Sequence, residues 1–183
     1  MKHSLGDSWC CIEGGTNINR GWQEFAIAPQ CRHGLSDSTA KEWISDKNGM
    51  LTNALKTINE GDVVIVSLFG NDLQHGYADG NLTSGKIFAA VQALMKVVEK
   101  IKDKGANPVL LVYADPYRGK DPTLKARIAL MKTLLKGVAF IQMCEIMDTS
   151  EILTASDHFD GVDFHPTEKG HRAIAEYILK QTW

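Results

Sequence analysis

Long apolar runs are missing from this 183-residue chain. No stretch approaches the roughly 20 residues needed to cross a bilayer as a helix, so no membrane partner is expected. Cysteine is sparse. Cys10, Cys11, Cys31 and Cys144 have neither the paired spacing of zinc ligands nor the density of a small disulfide-stapled domain, and they read as free or buried thiols. A surplus of charge is missing too: 20 Lys and Arg stand against 22 Asp and Glu, for a net charge of -2. Such a balance gives no broad field to attract nucleic acid or anionic lipid, and it leaves a small molecule recognised locally as the expected partner. The first turn contains Gly14-Gly15-Thr16 but no glycine-rich phosphate fingerprint, which argues against a nucleotide site. No cationic and apolar leader precedes Gly6, so a cytoplasmic location is expected, although a secreted chain stripped of its leader would read the same.

What is present is an alternation of strand and helix patterns with no repeat, linker or low-complexity tract, which points to one domain over residues 1–183. Residues 62–69 (DVVIVSLF) form a continuous β-branched and aromatic run of the kind buried on both faces of a parallel sheet. Residues 108–113 and 138–143 repeat the pattern. Residues 1–5 are expected to be the first strand despite the polar Lys2, His3 and Ser4, and 28–32 a weak edge strand. Apolar residues at steps of three and four predict helices over 50–58, 84–104, 124–136 and 166–180. The expected fold class is therefore α/β, a three-layer α/β/α sandwich around a mostly parallel five-stranded sheet of flavodoxin-like type.

Three short motifs fall at the ends of these elements: Gly6-Asp7-Ser8, Gly70-Asn71-Asp72 and Asp163-Phe164-His165-Pro166. Taken singly, each has an ordinary explanation. Ser8 is a suitable helix N-cap, Gly70-Asn71-Asp72 a suitable turn, and His165 a loop histidine. Taken together they supply a nucleophile, an amide donor and a base at the strand ends where open α/β sheets build their sites. In order, approximate spacing and context, these blocks resemble those of the SGNH hydrolases, the GDSL esterase and lipase family. Gly170-His171 extends the last block.

The resemblance implies a Ser8 nucleophile, a His165 base, and an oxyanion hole formed by the Ser8 N–H, an N–H from the second block and the Asn71 amide. Two positions depart from the family pattern. In the second block, Gly34-Leu35-Ser36-Asp37-Ser38-Thr39 puts Asp37 where the family has a glycine. The Asp37 N–H still serves if its backbone conformation is not restricted to glycine and its carboxylate points away, and Gly34 is the alternative donor. The position three residues before His165 is Val162 rather than Asp. Asp163 is the preferred orienting acid and Asp160 the alternative. Trp9, next to the nucleophile, and Gly70 are expected to line the substrate cleft, and His75 and His158 are read as ordinary loop histidines.

The resemblance implies a serine esterase working through a Ser-His-Asp triad and an acyl-enzyme, and the short connections, which leave no segment long enough for a lid, point to short-chain acyl esters, including O-acetyl groups on carbohydrates. That chemistry calls for no metal and no organic cofactor. A thioesterase or lysophospholipase would use the same site, and a non-catalytic carbohydrate-binding or other small-ligand domain with a decayed site is the rival from another class.

Overall fold

The first strand, β1 (Lys2–Gly6), is polar in composition yet buried along most of its length. Each of its polar side chains has a partner, although His3 Nδ1 is buried without one among the described residues. The Lys2 ammonium donates to the carbonyls of Ile178 and Gln181 at 2.6 and 2.7 Å, His3 Nε2 lies 3.1 Å from Asp62 Oδ2, and Ser4 Oγ donates to Gln23 Oε1 at 2.8 Å. A hydrogen-bonded polar group can be buried at little net cost, which reconciles this strand's sequence with its central place.

The structure, a computed structural model, describes residues 1–11, 21–78, 80, 82–115, 122–159 and 165–183, and only the backbone of 76–78 and 124. After β1 come α1 (Gln23–Ala26), β2 (Arg32–Gly34), α2 (Ala40–Ile44), α3 (Met50–Thr57), β3 (Val63–Ser67), α4 (Gly70–Ala78), α5 (Ser84–Lys102), β4 (Asn107–Val112), α6 (Pro122–Ile141), β5 (Glu145–Asp148), α7 (Thr149–Ile152) and α8 (Glu168–Lys180). The five strands pair in the order β2-β1-β3-β4-β5, and every pairing is parallel. This is the flavodoxin-like order, in which the direction of winding reverses between β1 and β3 and opens a crevice at their carboxyl ends. β3 is buried throughout. Helix α5 starts at Thr83, whose hydroxyl accepts the Lys86 N–H at 3.3 Å, and it covers the sheet with Ala90, Leu94, Val97, Val98 and Ile101. Among the described residues, no helix is long and apolar enough to cross a membrane.

Two strand expectations are corrected. Residues 138–143 are not a strand: α6 continues to Ile141, and Ile128, Met131, Leu135 and Val138 keep the helical step of three or four on its buried side. Phe140 is 86% exposed, which a strand buried on both faces would not permit. The chain reverses at Met143, where φ is +48°, and the short edge strand β5 follows. The second strand likewise lies later than 28–32. A short 3₁₀ turn occupies Pro29–Cys31, because Pro29 cannot donate to a ladder.

Candidate active site

Ser8 sits just past the carboxyl end of β1, beside the point where the winding reverses. Gly6 makes the approach possible: a Cβ there would lie 2.6 Å from the Ser67 carbonyl oxygen and 2.8 Å from Cys10 Cβ. The turn that follows is pinned through Asp7. Its N–H donates to Ser67 O at 2.8 Å, its carbonyl accepts from the Cys10 and Cys11 N–H groups at 2.9 and 3.1 Å, and its Oδ1 accepts the Trp9 N–H at 3.1 Å. Ser8 is left half-buried at the apex. His165 arrives from the other end of the chain, ahead of α8. Thr167 anchors that approach by donating its N–H to His158 O at 2.8 Å and its hydroxyl to Asp157 O at 2.6 Å. Ser8 Oγ and His165 Nε2 meet at 2.7 Å, within hydrogen-bonding distance.

The second and third motifs are clasped together on the neighbouring side. Between β3 and α4 the chain turns at Phe69, whose φ of +99° is strained for a bulky side chain and costs on the order of 1–3 kcal/mol. Gly70-Asn71-Asp72 then forms the first turn of α4 rather than an isolated turn. Asn71 Nδ2 donates to Ser38 O at 3.1 Å, leaving its second amide hydrogen for another acceptor. Asp72 Oδ2 accepts the Ala40 N–H at 2.8 Å. Asp37 has φ +62°, a left-handed conformation that glycine adopts freely and Asp or Asn tolerate. Its carboxylate points outward to His75 Nε2 at 2.9 Å. His75 is thus no loop residue: it lies on α4, one turn beyond Asn71. Gly34 closes β2 in register with Gly6, and a Cβ there would lie 2.8 Å from Cys11 Sγ.

Two cleft expectations are corrected. Trp9 is 1% exposed, packed edge-on against Tyr113 with ring centroids 4.9 Å apart and tilted against Phe159 at 6.0 Å. It belongs to the core because the turn directs Ser8 outward and its neighbour inward. Gly70 is also buried, and a Cβ there would lie 3.3 Å from Asp7 Oδ2 and 3.4 Å from the Tyr113 ring.

The residue that sequence reasoning missed is Tyr113. Its hydroxyl donates to Asp7 Oδ2 at 2.7 Å, and Ser67 Oγ lies 3.4 Å from Asp7 Oδ1. Burial pushes the Asp7 carboxyl up to about 7, against hydrogen bonds from Tyr113 and Trp9 that favour its ionised form, while Asp72 adds repulsion. Burial also raises Asp72, against backbone N–H groups of α2 and the neighbouring His75. The floor beneath Ser8 and Asn71 is therefore rich in carboxyl groups. Both acids considered as partners of His165, Asp163 and Asp160, lie outside the described residues.

His171, part of the C-terminal motif, is a core residue. It is fully buried, and neither ring nitrogen has a hydrogen-bond partner among the described residues. Burial holds its pKa down near 3, with His165 contributing. The unfolded chain takes a proton on this ring below about pH 6.5 and the folded chain does not, so stability is lost as pH falls from about 6.5 toward 3. His171→Leu, similar in size, is expected to stabilise the fold at pH 7 by about 1–3 kcal/mol by removing unpartnered polar atoms. The gain should grow at pH 5, as read by urea unfolding. A variant less stable than the parent at both pH values would show that the ring nitrogens are hydrogen-bonded in solution.

No protein-family model matches the chain, and no curated protein does. Solved structures do. A putative GDSL-like lipase from Parabacteroides merdae superimposes with a TM-score of 0.71 at 12% identity, over 98% of this chain and 93% of the other. The acetylxylan esterase Axe2 from Geobacillus stearothermophilus gives 0.65 at 15%, over 100% and 94%. A Bacillus subtilis protein gives 0.69 at 16%, over 98% of this chain but only 55% of its own length. The chain has the SGNH hydrolase fold. At these identities the likeness is one of architecture, and function has to be argued from the site.

Proposed function

We propose that the protein is a serine ester hydrolase. The observation that carries this reading is the 2.7 Å contact between Ser8 Oγ and His165 Nε2, made across nearly the whole sequence at the crevice where this fold places ligands. A serine hydroxyl is a weak nucleophile at neutral pH, and an adjacent imidazole corrects this by taking its proton during attack. Ser8 Oγ bonds to the ester carbonyl carbon as its proton passes to His165 Nε2. The tetrahedral oxyanion collapses, and the alcohol leaves with that proton. Water then attacks the acyl-enzyme, again giving a proton to His165, and the acid is released with Ser8 restored. The oxyanion is assigned to the N–H groups of Ser8 and Asp37, with Gly34 as the alternative to Asp37, and to the Asn71 amide. The N-terminal end of α4, which carries Asn71, adds a favourable dipole.

The substrates we assign are short-chain esters, including O-acetyl groups on carbohydrates. The acetylxylan esterases among the structural neighbours support this. So does the packing behind Ser8, where Phe69, Trp9, Tyr113 and Phe159 are all turned into the core and present no open apolar surface to a long chain. Each methylene adds about 0.8 kcal/mol of binding only where such a surface receives it.

The test has two stages. A fluorophosphonate probe should label the protein on Ser8, identified by peptide mass, and an unlabelled protein would leave a non-catalytic binding domain as the reading. On p-nitrophenyl esters, kcat/KM should then fall at least tenfold from acetyl to octanoyl. An equal or rising value would move the assignment to a lipase or long-chain thioesterase.

A further inference from the structure

The turn that carries Asp37 is held between two elements of the site. Leu35 N–H donates to Gly6 O at 2.9 Å, Ser38 Oγ lies 3.3 Å from the same oxygen, and Ser38 O accepts the Asn71 amide. Asp37 is thus one residue from a carbonyl bonded by the proposed oxyanion donor. A carboxylate here is unexpected on two counts. The left-handed backbone at φ +62° is one that glycine adopts without strain, and a negative charge beside a developing oxyanion opposes its formation. Asp7 and Asp72 already place two carboxyl groups beneath the same end of the sheet.

His75 is placed to offset this. Its side chain and that of Asp37 are 50% and 79% exposed, so the pair stands on the rim, and its ring nitrogen meets Asp37 Oδ1 from the outer side of α4. Exposed pairs of this type contribute little to stability, about 0–1 kcal/mol, so a structural purpose alone is weak.

We propose that His75 is a positioning residue that holds the Asp37 carboxylate outward and screens its charge from the oxyanion site, which makes the Asp37–His75 pair a determinant of turnover in this chain. The inference rests on the serine-hydrolase reading above. His75 acts through Asp37 and touches no reacting atom. Freed from His75, the carboxylate swings over the mouth of the site and raises the barrier for the charged intermediate more than it affects binding of a neutral ester.

The test is a double-mutant cycle on p-nitrophenyl acetate with wild type, His75→Ala, Asp37→Asn and the double variant. Asn keeps the tolerance for φ > 0 and removes only the charge. His75→Ala should lower kcat about threefold to tenfold, the scale of one poorly screened charge near the surface, with KM within twofold. Asp37→Asn should raise kcat about twofold, and the double variant should match Asp37→Asn. Raising ionic strength from about 0.01 to 1 M, which shortens the Debye length from ~30 to ~3 Å, should restore most of the His75→Ala loss. A His75→Ala loss that persists in the Asp37→Asn background, or one that salt does not relieve, overturns the proposal in favour of a purely structural clasp. Wild-type turnover in His75→Ala overturns it outright. A wild-type protein that neither labels on Ser8 nor hydrolyses esters sinks the hydrolase reading itself, which is distinct from an active enzyme with an unresponsive cycle.

Discussion

Ser8→Ala is expected to lower kcat by up to about 10⁶ while the chain still folds, since removing the nucleophile of a Ser-His pair forfeits nearly all of the chemistry. The fold should be indifferent because the Ser8 turn is held by the main chain of Asp7 and by its carboxylate on the Trp9 N–H, none of which involves the Ser8 hydroxyl. The variant loses one oxygen and one hydrogen bond, that to His165. His165→Ala should be comparably damaging. Residues that act as a unit do not give additive losses, so the double variant should be no more than about tenfold worse than either single one. Burst and steady-state rates on p-nitrophenyl acetate, with circular dichroism and thermal midpoints to certify folding, read all three. A folded Ser8→Ala protein retaining a tenth of wild-type turnover would remove Ser8 from the chemistry.

Much of the architecture was legible because its signals are strong and local. The run over β3 is apolar without interruption, as burial on both faces demands. The step of three and four along α5 extends over many turns before Gly105, where φ is +71°, ends it. The errors came where a short apolar stretch lacks context. Val138 to Met143 has strand-like composition, yet Val138 and Ala139 continue the buried side of α6 while Phe140 and Ile141 face solvent, and six residues are too few for periodicity to decide. The polar β1 is legible only because Ser8 needs a strand before it. Its real justification, the partners Asp62, Gln23, Ile178 and Gln181, comes from residues distant in sequence.

The candidate site divides along the same line. Ser8, Asn71 and His165 were visible as motifs, and the structure brings Ser8 and His165 together and ties Asn71 to the Ser38 carbonyl. Trp9 is not legible as a core residue because adjacency in sequence says nothing of direction in a tight turn, where successive side chains diverge. Tyr113 was not visible at all: it follows β4 with no motif around it, and only the sheet order, with β4 beside β3, delivers its hydroxyl to Asp7. His75 carried a faint signal, four residues after Asn71 and hence on the same side of a helix, but that spacing has meaning only once residues 70–78 are known to be helical.

Asp163→Asn is expected to lower kcat by up to about 10⁴, the scale seen when the carboxylate of a triad is replaced and the imidazole adopts the wrong tautomer. His165 presents its Nε2 to Ser8. For that nitrogen to accept a proton, the resting imidazole must carry its hydrogen on Nδ1, and an acceptor at Nδ1 both fixes this tautomer and stabilises the imidazolium formed during attack. Asp163 is two residues away in sequence and Asp160 five, so Asp163 needs only a short turn, whereas Asp160 needs the intervening chain to bulge. On this assignment Asp160→Asn should stay within about threefold of wild type. Both variants should label with the fluorophosphonate probe, Asp163→Asn far more slowly, since the nucleophile is intact and only its activation is impaired. The reverse pattern would make Asp160 the orienting acid. If both variants keep most of the turnover, Ser8 and His165 work as a dyad with a backbone carbonyl at Nδ1, and a slow rate confined to the Asp160–Asp163 double variant would instead mean that either carboxylate can substitute for the other.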